Sequence, residues 1–302
     1  MTLNFIVSKF SVIIASVNGL PSIAECLTAL DQSRNGFDAE IVVVDATDER
    51  TADYIANDFP HVKLIRLPER VGIPEMRPIG MREAAGDYLI VIEDHCIAPE
   101  NWFAEIARAH DAGYAVVGGA VENGATKRLM DWAVFLCEYS GFMSPIPDGD
   151  AEFVTGNNVS YRREAIEQID ESTKKDFWEY FLQAELRKKN VKFLSAPAIT
   201  INHKKEFGFF YFLSQRFHYS RSFAAMRNRK SNALQKFIYL AYTPLSPFHL
   251  TWRIVKNVLQ KKRHRKKLLL SLPLLAMFMC SYAAGELAGQ LFGSGKSLLK
   301  VE

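Results

Sequence analysis

Glu93, Asp94 and His95 stand in a row at the end of the apolar run 88–92, just ahead of a proline-bearing loop. Carboxylates and an imidazole crowded at a strand end can hold a divalent cation, and strand ends are where open α/β sheets place their ligands. The competing use of Glu93 and Asp94 is to cap the helix expected to begin near residue 99. Asp45 closes the run Val42-Val43-Val44 and precedes Ala46-Thr47-Asp48. A carboxylate there can accept from a ribose hydroxyl or a base imino group, whereas Asp48 suits a helix cap. Arg77 follows Gly72 on an expected helix and offers a forked donor to a diphosphate, or lies solvated on its helix. In Thr155-Gly156-Asn157-Asn158, glycine lets a ligand approach the backbone and paired amides both donate and accept, as sugar hydroxyls require; Asn-Asn equally suits a turn. Trp178-Glu179 sets an indole beside a carboxyl group, an environment that can raise its pKa toward that of a general base. His203 follows the strand-like stretch 199–202 and could ligate a metal. Taken alone, Glu179 also reads as an ordinary helix residue and His203 as a structural histidine.

The elements that must position these side chains are legible over the first 120 residues. Short β-branched runs at 10–15, 40–44, 62–67, 88–92 and 115–117 alternate with helical spacing at 22–33, 49–58, 74–85 and 101–112. Such continuous apolar runs suit parallel strands buried on both faces, wound right-handedly with helices on each side. Pro21 and Pro74 fall at first-turn positions. No G-x-G-x-x-G follows the first strand and no G-x-x-x-x-G-K-[ST] occurs, which argues against dinucleotide-binding and P-loop readings. From 124 to 198 the pattern mixes a helix at 127–139, a Pro/Gly/Asp loop at 144–150, short strands within 153–161 and a helix at 176–189. Residues 207–223 are crowded with aromatics. The basic block 261–267 then leads into an apolar stretch at 268–292, which contains Pro273 and Glu286 and leaves spanning, re-entrant and interfacial forms open.

Composition frames this as a globular protein: 302 residues, 48% hydrophobic and 24% charged. The net charge of +3 is too small to argue for nucleic acid, so no nucleic-acid partner is expected. Cys26, Cys96, Cys137 and Cys280 are far apart, form no zinc-type spacing, and read as reduced thiols in a cytoplasmic setting. The run at 10–15 is too short for a signal-peptide core and reads as a strand.

In order, these pieces resemble family 2-type inverting glycosyltransferases with the GT-A fold, over about residues 9–225. Ser11-Val12-Ile13-Ile14 is similar to the opening strand of that family and Val42-Val43-Val44-Asp45 to its nucleotide-binding strand. Gly72 through Gly80, with Arg77 between, is similar to its G-x-x-x-A-R-N-x-G stretch. Gly86-Asp87-Tyr88-Leu89 approaches the acidic cluster as the family approaches its metal-binding D-x-D. Gly156-Asn157-Asn158-Val159-Ser160 resembles the acceptor-side loop, and Glu179 falls where the family keeps its catalytic carboxylate. Glu93 and His95 stand in place of aspartates, Pro78 in place of an asparagine, and Trp178-Glu179 in place of Glu-Asp.

The resemblance implies a GT-A-like (Rossmann-like), mixed but mostly parallel α/β sheet in a catalytic domain at 1–225, with a helical, membrane-associating tail at 226–302. It implies donor contacts from Ala15, Asp45, Arg77, Glu93 and Asp94, and acceptor contacts from Gly156, Asn157, Asn158 and Trp178. A divalent metal, Mn2+ or Mg2+, would lie on Glu93, Asp94, His95 and His203, with Glu179 as catalytic base. The implied partners are a nucleotide-diphosphate sugar, a glycan or lipid-linked acceptor, and a membrane surface at the cytoplasmic face of the cell membrane, where Arg216 and Arg221 would meet a lipid phosphate. A sugar-nucleotide pyrophosphorylase would need a Gly-rich, basic first loop that Ala15-Ser16-Val17-Asn18-Gly19 does not supply. The alternative reading is a non-catalytic nucleotide-sugar-binding or membrane adaptor protein of the same fold.

Overall fold

The computed structural model describes residues 9–170 and 178–301. Two compact units emerge: one runs to Gly124 and includes Phe142–Lys204, and the other joins Ala125–Gly141 to the chain from Lys205 onward.

In the first unit, β1 (Phe10–Ser16), α1 (Ser22–Ser33), β2 (Ala39–Asp45), α2 (Glu49–Asp58), β3 (Lys63–Arg66), α3 (Ile73–Glu83) and β4 (Tyr88–Glu93) realise the expected alternation. After them come β5 (Cys96–Ile97), α4 (Trp102–Asp111) and β6 (Val116–Asn123). Helix α5 (Leu129–Tyr139) belongs to the second unit. The chain then returns with β7 (Gly149–Ala151), β8 (Asn158–Arg162), α6 (Arg163–Glu167), α7 (Glu179–Lys188) and β9 (Phe193–His203). The start of the helix expected at 176–189 lies outside the described residues.

The strand order is β3-β2-β1-β4-β8-β6-β9-β5, with β7 against β9. Strands β1 to β4 are mutually parallel, and β9 is parallel to β6. Between β4 and β6 runs β8, antiparallel to both, so six strands share one direction. The sheet is therefore mixed and mostly parallel. All seven residues of β1 are buried, as expected of a central strand with helices on both faces. Ile13, Val42, Leu89, Val91, Val159, Tyr161 and Phe193 form one core layer with Leu182 and Leu186 of α7. Each such side chain stabilises the fold by about 1.5–3 kcal/mol through burial. Asp48 does what its position after β2 suggests: its carboxylate accepts from Thr51 N–H at 2.8 Å and caps α2.

The second unit is helical. It holds α5, α8 (Phe209–Arg229), α9 (Ala233–Tyr242), α10 (Ser246–Lys261) and α11 (Arg265–Phe292). Residue 225, the expected domain boundary, falls inside α8. Lys262 and His264 take left-handed backbone conformations and reverse the chain between α10 and α11 within the basic block. Against expectation, Arg216 is not available to a lipid phosphate. It is buried, pairs with Glu138, and lies over the Phe212 and Tyr219 rings. Arg221 donates to the Gly293 carbonyl at 2.9 Å, holding the end of α11.

Candidate functional site

Strands β1, β2 and β4 end together. Ser16 is opposite Asp45, and Ala15, buried in β1, is opposite both Val44 and Glu93. Because β2 lies on one side of β1 and β4 on the other, the winding reverses here, which opens a crevice at the carboxyl edge. Running in the opposite direction, β8 begins at that same edge, with Asn158 opposite Ile92. β9 ends there, with His203 opposite Cys96 and Asn123.

Three of the expected metal-binding side chains meet. His95 Nε2 and His203 Nε2 are 2.8 Å apart, and Glu93 Oε2 lies 3.5 Å from the first and 3.6 Å from the second. The two rings stand nearly perpendicular, at 86°. Two imidazole nitrogens and a carboxylate oxygen, all within 4.8 Å of one another, fit a divalent ion such as Mn2+. His95 Nδ1 sits 2.9 Å from Asp94 Oδ1, so the carboxylate fixes the proton on Nδ1 and leaves the Nε2 lone pair facing the cluster.

Asp94, expected as a further metal and donor ligand, is placed differently. It is 1% exposed, and both oxygens accept hydrogen bonds from the β1–α1 loop: Oδ2 from the Val17 and Asn18 N–H groups at 2.8 Å, Oδ1 from the Asn18 amide at 2.6 Å. Burial alone would raise its pKa, but the hydrogen bond and charge of His95, with the Asn18 donors, hold the carboxyl below its ordinary value. Asp94 thus positions His95 and the loop. Asn18 was missed by sequence reasoning; the signal available was an Asn-Gly pair two residues beyond β1.

Glu179 opens α7 and faces the same crevice. Its carboxylate pairs with Arg77 Nη1, while Arg77 Nη2 is 3.9 Å from Glu93 Oε1. Arg77 comes from α3, whose first turn is fixed by the Glu75 carboxylate accepting from Gly72 N–H at 3.0 Å. The buried guanidinium therefore lies between two carboxylates on different elements. Gly156 forms the bed of Glu179: a Cβ on residue 156 would come within 2.4 Å of Glu179 Cγ. Asn157 donates to Glu93 Oε2 at 3.2 Å and accepts from the Thr155 hydroxyl at 2.7 Å, so it steadies the metal-side carboxylate.

Asp45 is 1% exposed; one oxygen accepts from Thr47 Oγ1 at 2.7 Å, and Oδ2 has no hydrogen-bond partner among the described residues. A buried carboxylate oxygen without a partner at the end of β2 is an acceptor that a ligand hydroxyl or imino group would satisfy.

Two of the expected acceptor residues lie inside the unit instead. Asn158 accepts from the Trp102 indole at 3.0 Å and donates to the Ala120 and Ile199 carbonyls, which commits both amide protons between β6 and β9. Asn158 is the first residue of β8, whereas Asn157 lies in the turn that leads into it, which is how two adjacent amides reach different partners. Trp178 is buried, and its carbonyl accepts from the Phe181 and Leu182 N–H groups at the start of α7.

A mostly parallel sheet with acidic and imidazole donors gathered at its strand ends, and one strand reversed between β4 and β6, has the architecture of the GT-A class. The chain belongs to glycosyl transferase family 2, whose model matches residues 11–170. It is 30% identical over 141 residues to polypeptide N-acetylgalactosaminyltransferase 12 of Mus musculus, covering 44% of this chain and 23% of that protein. With dolichol-phosphate mannosyltransferase of Pyrococcus furiosus it shares 30% identity over 126 residues, 38% of this chain and 36% of that one. The match thus spans about a quarter to a third of these relatives. Among solved structures, a mannosyltransferase from Pyrobaculum calidifontis in complex with GDP-Man and Mn2+ has a TM-score of 0.56 at 16% identity, covering 96% of this chain and 87% of that one. That likeness is one of fold.

Proposed function

We propose that the protein is an inverting glycosyltransferase that moves a sugar from a nucleotide-diphosphate donor to a hydroxyl of a lipid-linked or cell-envelope glycan, at the cytoplasmic face of the membrane. The observation that carries this reading is the meeting of Asp45, Arg77, Glu93, His95, His203 and Glu179 at one sheet edge. Asp45 Oδ2 takes a hydroxyl or imino proton donor of the nucleoside. Glu93, His95 and His203 would hold the divalent ion, which supplies positive charge against the departing diphosphate. Arg77, poised between Glu93 and Glu179, adds a second cation at that developing charge. The acceptor oxygen attacks the anomeric carbon from the face opposite the diphosphate. The bond to the diphosphate oxygen breaks with its electron pair, and the hydroxyl proton passes to the Glu179 carboxylate. No covalent enzyme intermediate is needed, and configuration inverts.

The presence of GDP-Man and Mn2+ in the Pyrobaculum calidifontis relative supports a nucleotide-sugar donor and a metal. The name of the Pyrococcus furiosus relative supports a lipid-phosphate acceptor, and the basic block with the apolar α11 supports a membrane surface as partner. The test is Glu179→Gln: transfer should be abolished while calorimetric titration with nucleotide diphosphates and Mn2+ still detects binding. Turnover near the wild-type rate would move the base elsewhere. No binding of any nucleotide diphosphate to the wild type, with or without Mn2+ or Mg2+, would remove the donor site.

A further inference from the structure

Among the described residues, twenty large apolar side chains are exposed, and nineteen of them belong to the second unit; Tyr180 is the first unit's contribution. They are not scattered. On α9, which buries none of its residues, Leu234, Phe237 and Ile238 share one face; on α10, Phe248, Trp252 and Leu259 do so at helical spacing. Uncovered apolar stripes of this extent mark a surface that another medium covers. Charge identifies that medium. Residues 226–302 carry fourteen lysines and arginines against Glu286 and Glu302, and Glu286 is 5% exposed and paired with Arg227 at 2.7 Å. Arg253, Lys256, Lys262, Arg265 and Lys266 are exposed. Apolar helix faces rimmed by unopposed cations complement the acyl chains and headgroups of an anionic bilayer.

Helix α11 is long and apolar enough to cross a membrane, with a mean hydropathy of 1.8 over an 18-residue stretch. Its other face is committed to α8. A Cβ on Gly285 would meet the Phe217 carbonyl oxygen at 2.1 Å, and one on Gly289 the Arg221 carbonyl oxygen at 2.3 Å, so the two backbones are in contact. Ser281 donates to the Leu213 carbonyl at 2.7 Å, and Glu286 takes Arg227 of α8. α8 carries Arg216, Arg221, Arg227 and Arg229, charges that oppose its following α11 into hydrocarbon.

We propose that the second unit is a monotopic anchor: the outer faces of α9 and α10 enter one leaflet of an anionic bilayer, and α11 remains packed on α8 without crossing. This rests on the membrane-surface partner proposed above and is independent of the transfer chemistry. Trp252 is 61% exposed while Trp102, Trp132 and Trp178 are at most 7% exposed, so it is the natural reporter. The purified full chain is titrated with vesicles of brominated phosphatidylcholine, with and without phosphatidylglycerol. Binding should be more than about tenfold tighter to the anionic vesicles and weaken with salt. Bromine should quench an emission component that Trp252→Phe lacks, and Phe237→Asp with Trp252→Asp should lower vesicle affinity more than about tenfold with unchanged circular dichroism. Tags at the two chain ends should be open to protease from the same side. A protected C-terminal tag would mean that α11 crosses. Absence of vesicle binding, or an oligomer in sedimentation that Phe237→Asp dissociates without altering vesicle affinity, would overturn the anchor. Nucleotide binding by the same preparation reports on the donor site separately.

Discussion

Replacing Gly156 by alanine should disable transfer without touching any group that contacts a nucleotide. A Cβ on residue 156 would sit 2.4 Å from Glu179 Cγ and 2.5 Å from Cδ, where ordinary contact begins at 3.4 Å, so the carboxylate must move by about 1 Å. Retreat in the other direction is hindered, because the Glu179 carboxylate already lies against Arg77, which is 5% exposed and itself near Glu93. A misplacement of about 1 Å in a group that must meet a reacting hydroxyl lowers the rate by about a hundredfold. The expected result for Gly156→Ala is therefore a kcat reduced by about that factor, with the nucleotide-diphosphate dissociation constant unchanged in calorimetry. Steady-state transfer to a saturating acceptor reads the first quantity and titration the second. An unaltered kcat would refute the reasoning, showing either that Glu179 is not the base or that it works in another rotamer. A matched loss of nucleotide affinity would instead place residue 156 on the donor side.

In His203→Ala only Glu93 and His95 of the cluster remain, and nucleotide-diphosphate binding with Mn2+ should become no tighter than binding without it; a preserved metal increment would exclude His203 as a ligand. Asp45→Asn removes the charge from the unsatisfied acceptor at the β2 end, a loss of about 1.5–3 kcal/mol for a hydrogen bond to a charged group, or roughly ten- to a hundredfold in nucleotide affinity. Unchanged affinity would take Asp45 out of the donor site. His110 bears on stability: burial pushes its imidazole from 6.5 down to about 4, against the raising effect of its hydrogen bond to the Tyr114 carbonyl. Between those values the unfolded chain binds more protons than the native one, so stability rises with pH and is lost on acidification. The loss should reach about 2 kcal/mol from about pH 7 to pH 5 in urea titrations, and His110→Gln should flatten that slope.

The sequence spacing locates β1 to β4 within about two residues because apolar runs bounded by turn residues carry their own period. By contrast, β6 runs on to Asn123 past the expected 117, β7 falls at the loop expected over 144–150, and β9 begins at Phe193, ahead of the expected 199. The spacing also locates Asp45, Glu93, His95 and Glu179 at or beside ends of elements, and parallel winding then brings strand ends to one edge, which Arg77 reaches from within α3. What spacing does not carry is direction or facing. Nothing in 158–162 distinguishes a parallel strand from the antiparallel β8. Asn157 and Asn158 are chemically alike, yet only the first lies beside Glu93, because it sits in the turn before β8 while the second is already in the strand. Asp94 and His95 are likewise adjacent, and one oxygen of the former orients the latter, a division of labour visible only once Asn18 has claimed the rest of the carboxylate. His203 is 108 residues from His95, and its approach depends on β9 pairing with β5 rather than on any local signal.

Helix α5 interrupts the first unit in sequence but packs with α11 near the far end of the chain. Its buried side chains include Trp132, Val134, Phe135 and Leu136. During synthesis at about 5–20 residues per second, that apolar face emerges roughly 7–30 s before its partner is made. Over that interval the nascent protein displays a sticky helix that only a chaperone or the membrane can shield. Cutting the gene after the sheet would make this exposure permanent, so a catalytic fragment should be expressed with the 125–141 excursion closed by a short loop.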